Sequence, residues 1–133
     1  MNIYVYIAMP YSSAPEANTR AAMDVWTAVR DLRVEGVTFV PTCPHWSHFQ
    51  DALEGHARPY EEWLDYCLAV VRKHDCILRM PGESPGAERE VTLANDLGMP
   101  VFYDEEELRE FYDVSVEKEL LRLIEKENAD NGK

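Results

Sequence analysis

The sequence predicts an α/β fold, a small doubly wound parallel sheet with helices on both faces. Three observations carry that reading. Short apolar runs alternate with segments of helical periodicity in the order β-α-β-α-β-α-β. The runs are apolar throughout rather than alternating, as strands covered on both faces are. Each pair of runs is separated by enough chain for a right-handed helical crossover. The strand order expected from this succession is 2-1-3-4, and any fifth strand is expected to be short.

Ile3 to Ala8 is β-rich and bounded by Pro10, which makes it the first strand. Met9-Pro10-Tyr11-Ser12-Ser13-Ala14-Pro15 is rich in turn formers and reads as a loop. Ala17, Ala21, Val25, Ala28, Val29 and Leu32 recur at helical spacing, so a helix is expected from Glu16 to Val34, closed by Gly36. Val37 to Val40 is the second strand, closed by Pro41. Residues 41–58 form a long connection with room for a short helix from Ser47 to Leu53, and connections of that length in compact domains are often functional. Pro59 suits the first position of a helix running through Lys73, with Trp63, Leu64, Cys67, Leu68 and Val71 on its apolar face. Asp75 to Met80 is the third strand, Glu88 to Leu97 a helix stopped by Gly98, and Met99 to Tyr103 the fourth strand. Residues 1–113 are thus expected to form one α/β domain. Residues 114–133 are expected to add an amphipathic helix from Ser115 to Glu127, carrying Val116, Leu120, Leu121, Leu123 and Ile124, and a fraying tail from Asn128 to Lys133. That helix is expected to dock on the domain or on a second subunit.

The chain has 133 residues and a formal net charge of −12, which argues against an electrostatic nucleic-acid surface. No apolar run is long enough to span a membrane, and the first residues carry no basic leader. Cys43, Cys67 and Cys76 form no CxxC pair and are expected as reduced, at least partly buried thiols of a cytoplasmic protein. His45, His48 and His56, with Asp51 and Glu54, match no firm zinc spacing, so neither metal nor other cofactor is expected. They read instead as part of a substrate-covering loop, with His45 and Trp46 against a base or ribose.

Ser84-Pro85-Gly86-Ala87-Glu88-Arg89-Glu90 lies between the third strand and the following helix. Such a junction presents free backbone N–H groups that favour an anion, and Glu90 is expected in the first helical turn. The loops after strands one and three are expected to bring Tyr11, Ser12, Ser84 and Glu90 into one crevice, with Asp65 arriving from the preceding helix. A carboxylate among hydroxyls suits attack on a carbon of oxocarbenium character, and a second carboxylate can orient the substrate or move a proton. The alternative is that Glu90 is only a helix-terminal acid, stabilising the dipole by ~0.3–1 kcal/mol.

Tyr6-Ile7-Ala8-Met9-Pro10-Tyr11, Trp63-Leu64-Asp65-Tyr66, Asp75-Cys76-Ile77-Leu78 and Ser84-x-Gly86-x-x-x-Glu90-x-x-x-Ala94 follow one another in this order. The series resembles the nucleoside 2-deoxyribosyltransferase-like family, over roughly residues 3–102. The resemblance implies a flavodoxin-like (Rossmann-like) sheet and an enzyme that cleaves or exchanges the N-glycosidic bond of a nucleoside or nucleoside 5′-monophosphate. It implies Glu90 as nucleophile, Asp65 orienting the sugar or assisting proton transfer, and Tyr11 beside them. Ser84 and Gly86 are implied to hold the 5′ group, with Met9, standing where the family has a second glycine, and Ser12 on the adjoining loop. Arg20 is a candidate helper, although a solvated helix face is its commoner role. A homo-oligomer is also implied. A nucleotide-binding sensor or sequestering protein without turnover is the alternative from a different class.

Overall fold

The computed structural model describes residues 1–132; Lys133 and the side chains of Ser115 and Val116 lie outside the described residues. The elements are β1 (Asn2–Ala8), α1 (Pro15–Arg30), β2 (Thr38–Thr42), α2 (His45–Glu54), α3 (Tyr60–Val71), β3 (Cys76–Arg79), α4 (Pro85–Asp96), β4 (Val101–Phe102), α5 (Glu105–Tyr112) and α6 (Ser115–Asn131). The strands pair in parallel as β2-β1-β3-β4, the order the sequence predicts. The chain is therefore a single-sheet α/β fold of the flavodoxin-like type.

Alternation along β1 sends its side chains to two different cores. Ile3 and Val5 join Phe39, Cys76, Leu78 and Phe102 against Val29 of α1 and Leu108 of α5. Tyr6 and Ala8 join Ile77 against Cys67 and Val71 of α3 and Ala87 and Ala94 of α4. Each face is covered, which is why the strands carry so few polar residues. The connections from β1 to β2 and from β3 to β4 run in opposite directions across the sheet. The ends of β1 and β3 therefore flank the switch point, where open α/β sheets have their crevice.

Several boundaries differ from the sequence expectation. The first helix ends at Arg30 rather than Val34. Leu32 and Val34 leave it to pack on the core beside Val37, and Val34 bridges Val37. Gly36, with φ +78°, serves that tight turn rather than a helix end, and its carbonyl accepts the amino terminus at 2.8 Å. The second strand continues through Pro41, which is tolerated because β2 is an edge strand. No fifth strand occurs among the described residues. Asp104 caps α5 directly after β4, accepting the Glu107 N–H at 2.7 Å, while the Glu107 carboxylate accepts the Tyr103 N–H at 2.9 Å. The last helix runs on to Asn131, so the segment from Asn128 is helical rather than frayed. No helix among the described residues is long and apolar enough to cross a membrane.

The loops after β1 and β3 touch at Gly82. It has φ +123°, and a Cβ there would lie 2.6 Å from Cγ of Pro10. Only glycine meets both the dihedral and the close approach. Gly82→Ala is expected to destabilise the fold by ~1–3 kcal/mol, read by chemical denaturation, because strain and clash coincide at one position.

Candidate functional site

Ser84 is extended, with φ −158°, and its Oγ accepts the Ala87 N–H at 3.2 Å, so it caps α4 with Pro85 at the first helical position. The helix thus starts three residues before Glu88, and the expectation that Glu90 sits in the first turn is corrected. Glu88 is the first-turn acid, and Glu90 lies in the second turn on the face of Ala87, Val91 and Ala94, turned toward the sheet. The helix dipole acts mainly on the first turn. Burial, not the dipole, governs Glu90.

Glu90 is 7% exposed, and its Oε2 has no hydrogen-bond partner. Burial raises its carboxyl to about 7, against the pull of the Tyr6 hydroxyl and the Arg79 guanidinium. Tyr6 is fully buried in β1, and burial together with the Glu90 charge pushes its phenol well above the ordinary range. Each group influences the other, yet Tyr6 Oη closes no hydrogen bond of good geometry. Two buried oxygens so placed make this the candidate site.

Arg79 ends β3 and is also 7% exposed. Its guanidinium donates to the carbonyls of Met80 and Gly82, the latter at 2.7 Å, and to the Glu88 carboxylate at 2.9 Å. One side chain thus ties the β3 loop to the first turn of α4 and leaves its field on Glu90.

On the other side of Tyr6 lies Cys67 of α3, whose thiol is pushed up to about 12 by burial, so it stays protonated, and its Sγ is hydrogen-bonded with His48 Nε2 at 3.0 Å. Burial, then the neighbouring His45, lowers His48 to about 4, which leaves its ring neutral. His45 is buried and hydrogen-bonds the Pro10 carbonyl through Nε2 at 2.7 Å. The carbonyl can only accept, so this nitrogen carries the proton. Tyr11 sets the edge of its ring against both histidines, at centroid distances of 5.6 and 5.0 Å. Asp51 accepts the Trp63 indole N–H at 2.5 Å and the Arg58 N–H at 3.0 Å, holding α2 to α3. A line of polar and aromatic groups therefore runs from Glu90 through Tyr6, Cys67 and His48 to Tyr11.

The chain matches no family model, no curated protein and no solved structure. The reading of this site rests on its own geometry.

That geometry brings together only some of the residues singled out in the sequence. Glu90, Ser84 and Gly86 share α4 and its cap, and Tyr11 joins them through His48, Cys67 and Tyr6. Met9 is half-buried at the end of β1. Asp65 is exposed, off the buried face of Leu64, Cys67 and Val71. Ser12 is exposed, and Arg20 is exposed and pairs with Glu16 at 3.2 Å on the α1 surface. Trp46 is 50% exposed and tilts over Trp26 at 5.7 Å. Glu83 is exposed. No cluster of three or more metal-type ligands occurs among the described residues.

Tyr6, Arg79 and Cys67 were not singled out as site residues from the sequence, and His48 was read only as part of the substrate-covering loop. Arg79 carried a signal there. An arginine in the run Cys76-Ile77-Leu78-Arg79-Met80 has to be surrounded by acceptors. Tyr6 headed the first-strand motif, two residues before Ala8 on the same strand face, with nothing to mark its hydroxyl as part of a site.

The raised Glu90 carboxyl sets a pH dependence of stability. Relative to its ordinary 4.5, the folded protein holds this proton up to about 7. Stability contributed by the protonated form is therefore lost as pH rises through that window, by roughly 3 kcal/mol in all. Glu90→Gln, permanently neutral, is expected to unfold at higher denaturant than the parent at pH 8 and at a similar concentration at pH 4, read by urea titration at both values.

Proposed function

We propose that the protein cleaves or exchanges the N-glycosidic bond of a nucleoside or nucleoside 5′-monophosphate, with Glu90 as nucleophile. The observation that carries this reading is a buried carboxylate with an unpartnered oxygen beside the sheet's switch point. The ordered motifs that resemble nucleoside 2-deoxyribosyltransferase-like proteins support it independently.

In the first step a Glu90 oxygen bonds to C1′ of the sugar while the C1′–N bond breaks. The base leaves with the bonding pair and takes a proton from water. In the second step water attacks C1′ and frees Glu90, which is hydrolysis; a nitrogen of a second base gives exchange. The Ser84 hydroxyl spends its oxygen on the helix cap and keeps its hydrogen to donate, beside the first-turn N–H of Gly86. A 5′-hydroxyl or 5′-phosphate suits that corner.

A binding protein without turnover is the second reading. It is favoured by the closure around Glu90, since a neutral buried carboxyl donates a hydrogen bond rather than attacking carbon. Calorimetry that detects nucleotide binding, with no base released over the same period, would establish it.

The test is incubation with a panel of deoxynucleosides and their 5′-monophosphates, with free base read by chromatography. At least one is expected to release base, and Glu90→Gln is expected to lower that rate at least about a thousandfold. Attack requires the ionised carboxylate, so kcat/KM is expected to rise with pH and level off above about 7. Full activity in Glu90→Gln contradicts the assignment.

A further inference from the structure

The helices α2 and α3 follow one another as a hairpin, and between them lies an open cleft of about 300 Å³. Ser47 and Gln50, three residues apart, form its α2 wall. Glu62 and Tyr66, four apart, form its α3 wall, and Trp63 and Arg58 complete the lining. Successive contacts through Tyr6, Cys67 and His48 separate Trp63 from Glu90.

The groups around the cleft already hold one cation. The Arg58 guanidinium lies over the Trp63 ring, 5.4 Å from its centroid, and donates to Asp51 at 2.5 Å and to Glu54 at 3.3 Å. Trp63 is thereby spent, since its N–H goes to Asp51 and the His48 ring packs on it at 4.6 Å. The neighbouring groups repeat the same chemistry with no cation of their own. Tyr66 is half exposed and meets Trp63 in a T-shaped contact. Glu62 has no ion pair among the described residues. His56 approaches Glu54, at 3.6 Å, and not Glu62. Gln50 gives its amide N–H to Glu54 at 2.7 Å, so its carbonyl oxygen remains to accept. A ring, a carboxylate and a carbonyl thus border one hollow.

Three carboxylates, Asp51, Glu54 and Glu62, stand about the one guanidinium, so the surplus charge is negative. A phosphate or carboxylate ligand is repelled there. The free groups are acceptors, which a primary ammonium with its three N–H donors satisfies and a quaternary ammonium does not. The face of the Tyr66 ring attracts the same charge.

We propose that this cleft binds a small organic amine in its protonated, primary ammonium form. The ammonium donates to the Glu62 carboxylate and the Gln50 carbonyl oxygen, and its carbon chain lies along the Tyr66 ring. Ser47 supplies a further acceptor on the α2 wall. The cleft is open, so binding is weak, with Kd in the millimolar range. The site stands apart from the chemistry proposed at Glu90 and does not depend on it.

Titration of the full chain with n-butylammonium, followed by NMR of its amide and indole N–H signals, tests this. Ser47, Gln50, Glu62, Trp63 and Tyr66 are expected to shift together and to saturate. Glu62→Gln is expected to weaken binding about tenfold and Tyr66→Leu about fivefold. Glu61→Gln removes the same charge one position away on α3, outside the cleft lining, and is expected to leave binding unchanged. All three positions are exposed, so folding is preserved. Tetramethylammonium, inorganic phosphate and adenine are each expected to bind at least about tenfold more weakly than n-butylammonium. Absence of a saturable shift at these residues overturns the proposal. So does an equal loss in Glu61→Gln, which marks a general attraction to an acidic surface. Tetramethylammonium or adenine binding as tightly as the amine overturns the ligand class. An N-acetyl-lysine amide binding far more tightly than n-butylammonium assigns the cleft to a protein lysine and overturns a free amine.

Discussion

A buried guanidinium keeps its charge, so a fold that buries one must arrange acceptors around it. Arg79 sets that constraint here. Its acceptors are two loop carbonyls after β3 and the first-turn carboxylate of α4. Meeting them fixes where Gly82 lies, and Gly82 is what rests against Pro10 at the end of β1. It also fixes where α4 begins, and so which residue of that helix faces the sheet. The position of Glu90 follows from Arg79 as much as from its own packing.

The environment of Glu90 is a compromise between two demands. Apolar packing by Ala87, Ala94 and the Tyr6 ring drives the carboxyl toward its neutral form, while Arg79 favours the charge. Neither wins outright, and the group is left titrating near neutral pH. A carboxyl paired tightly with a cation would stay ionised and inert, and one buried with no cation would stay protonated. The intermediate state matches a group that has to change its bonding partner during a reaction. Cys67 and His48 extend the same environment toward α2, both held neutral by burial and joined by a hydrogen bond between thiol and imidazole.

The sheet was legible because its evidence is periodic and local. Apolar runs such as Ile3 to Ala8, with glycines and prolines between elements, specify four parallel strands and their order. The ends of elements were less legible because tertiary contacts set them. Leu32 and Val34 continue a helical pattern, yet the chain leaves the helix there to place them on the core. Met99 to Tyr103 reads as five strand residues, but only Val101 and Phe102 pair with β3. At the site, Glu90 was visible because its motif is contiguous with the Ser84 cap. Tyr6, Cys67 and His48 come from three separate elements, and their meeting depends on helix rotation that spacing alone does not encode. Asp65 shows the converse. It lies two residues from Cys67, yet that offset turns it away from the buried face.

The central claim is that Glu90 holds its proton to near neutral pH because the fold buries it between Tyr6 and Arg79. Carbon-13 NMR of glutamate side chains, with the Glu90 signal assigned by its absence in Glu90→Gln, measures this directly in the folded protein. The account predicts a carboxyl that titrates with a midpoint near 7. A midpoint at the ordinary value near 4.5 would place Glu90 in water and contradict it.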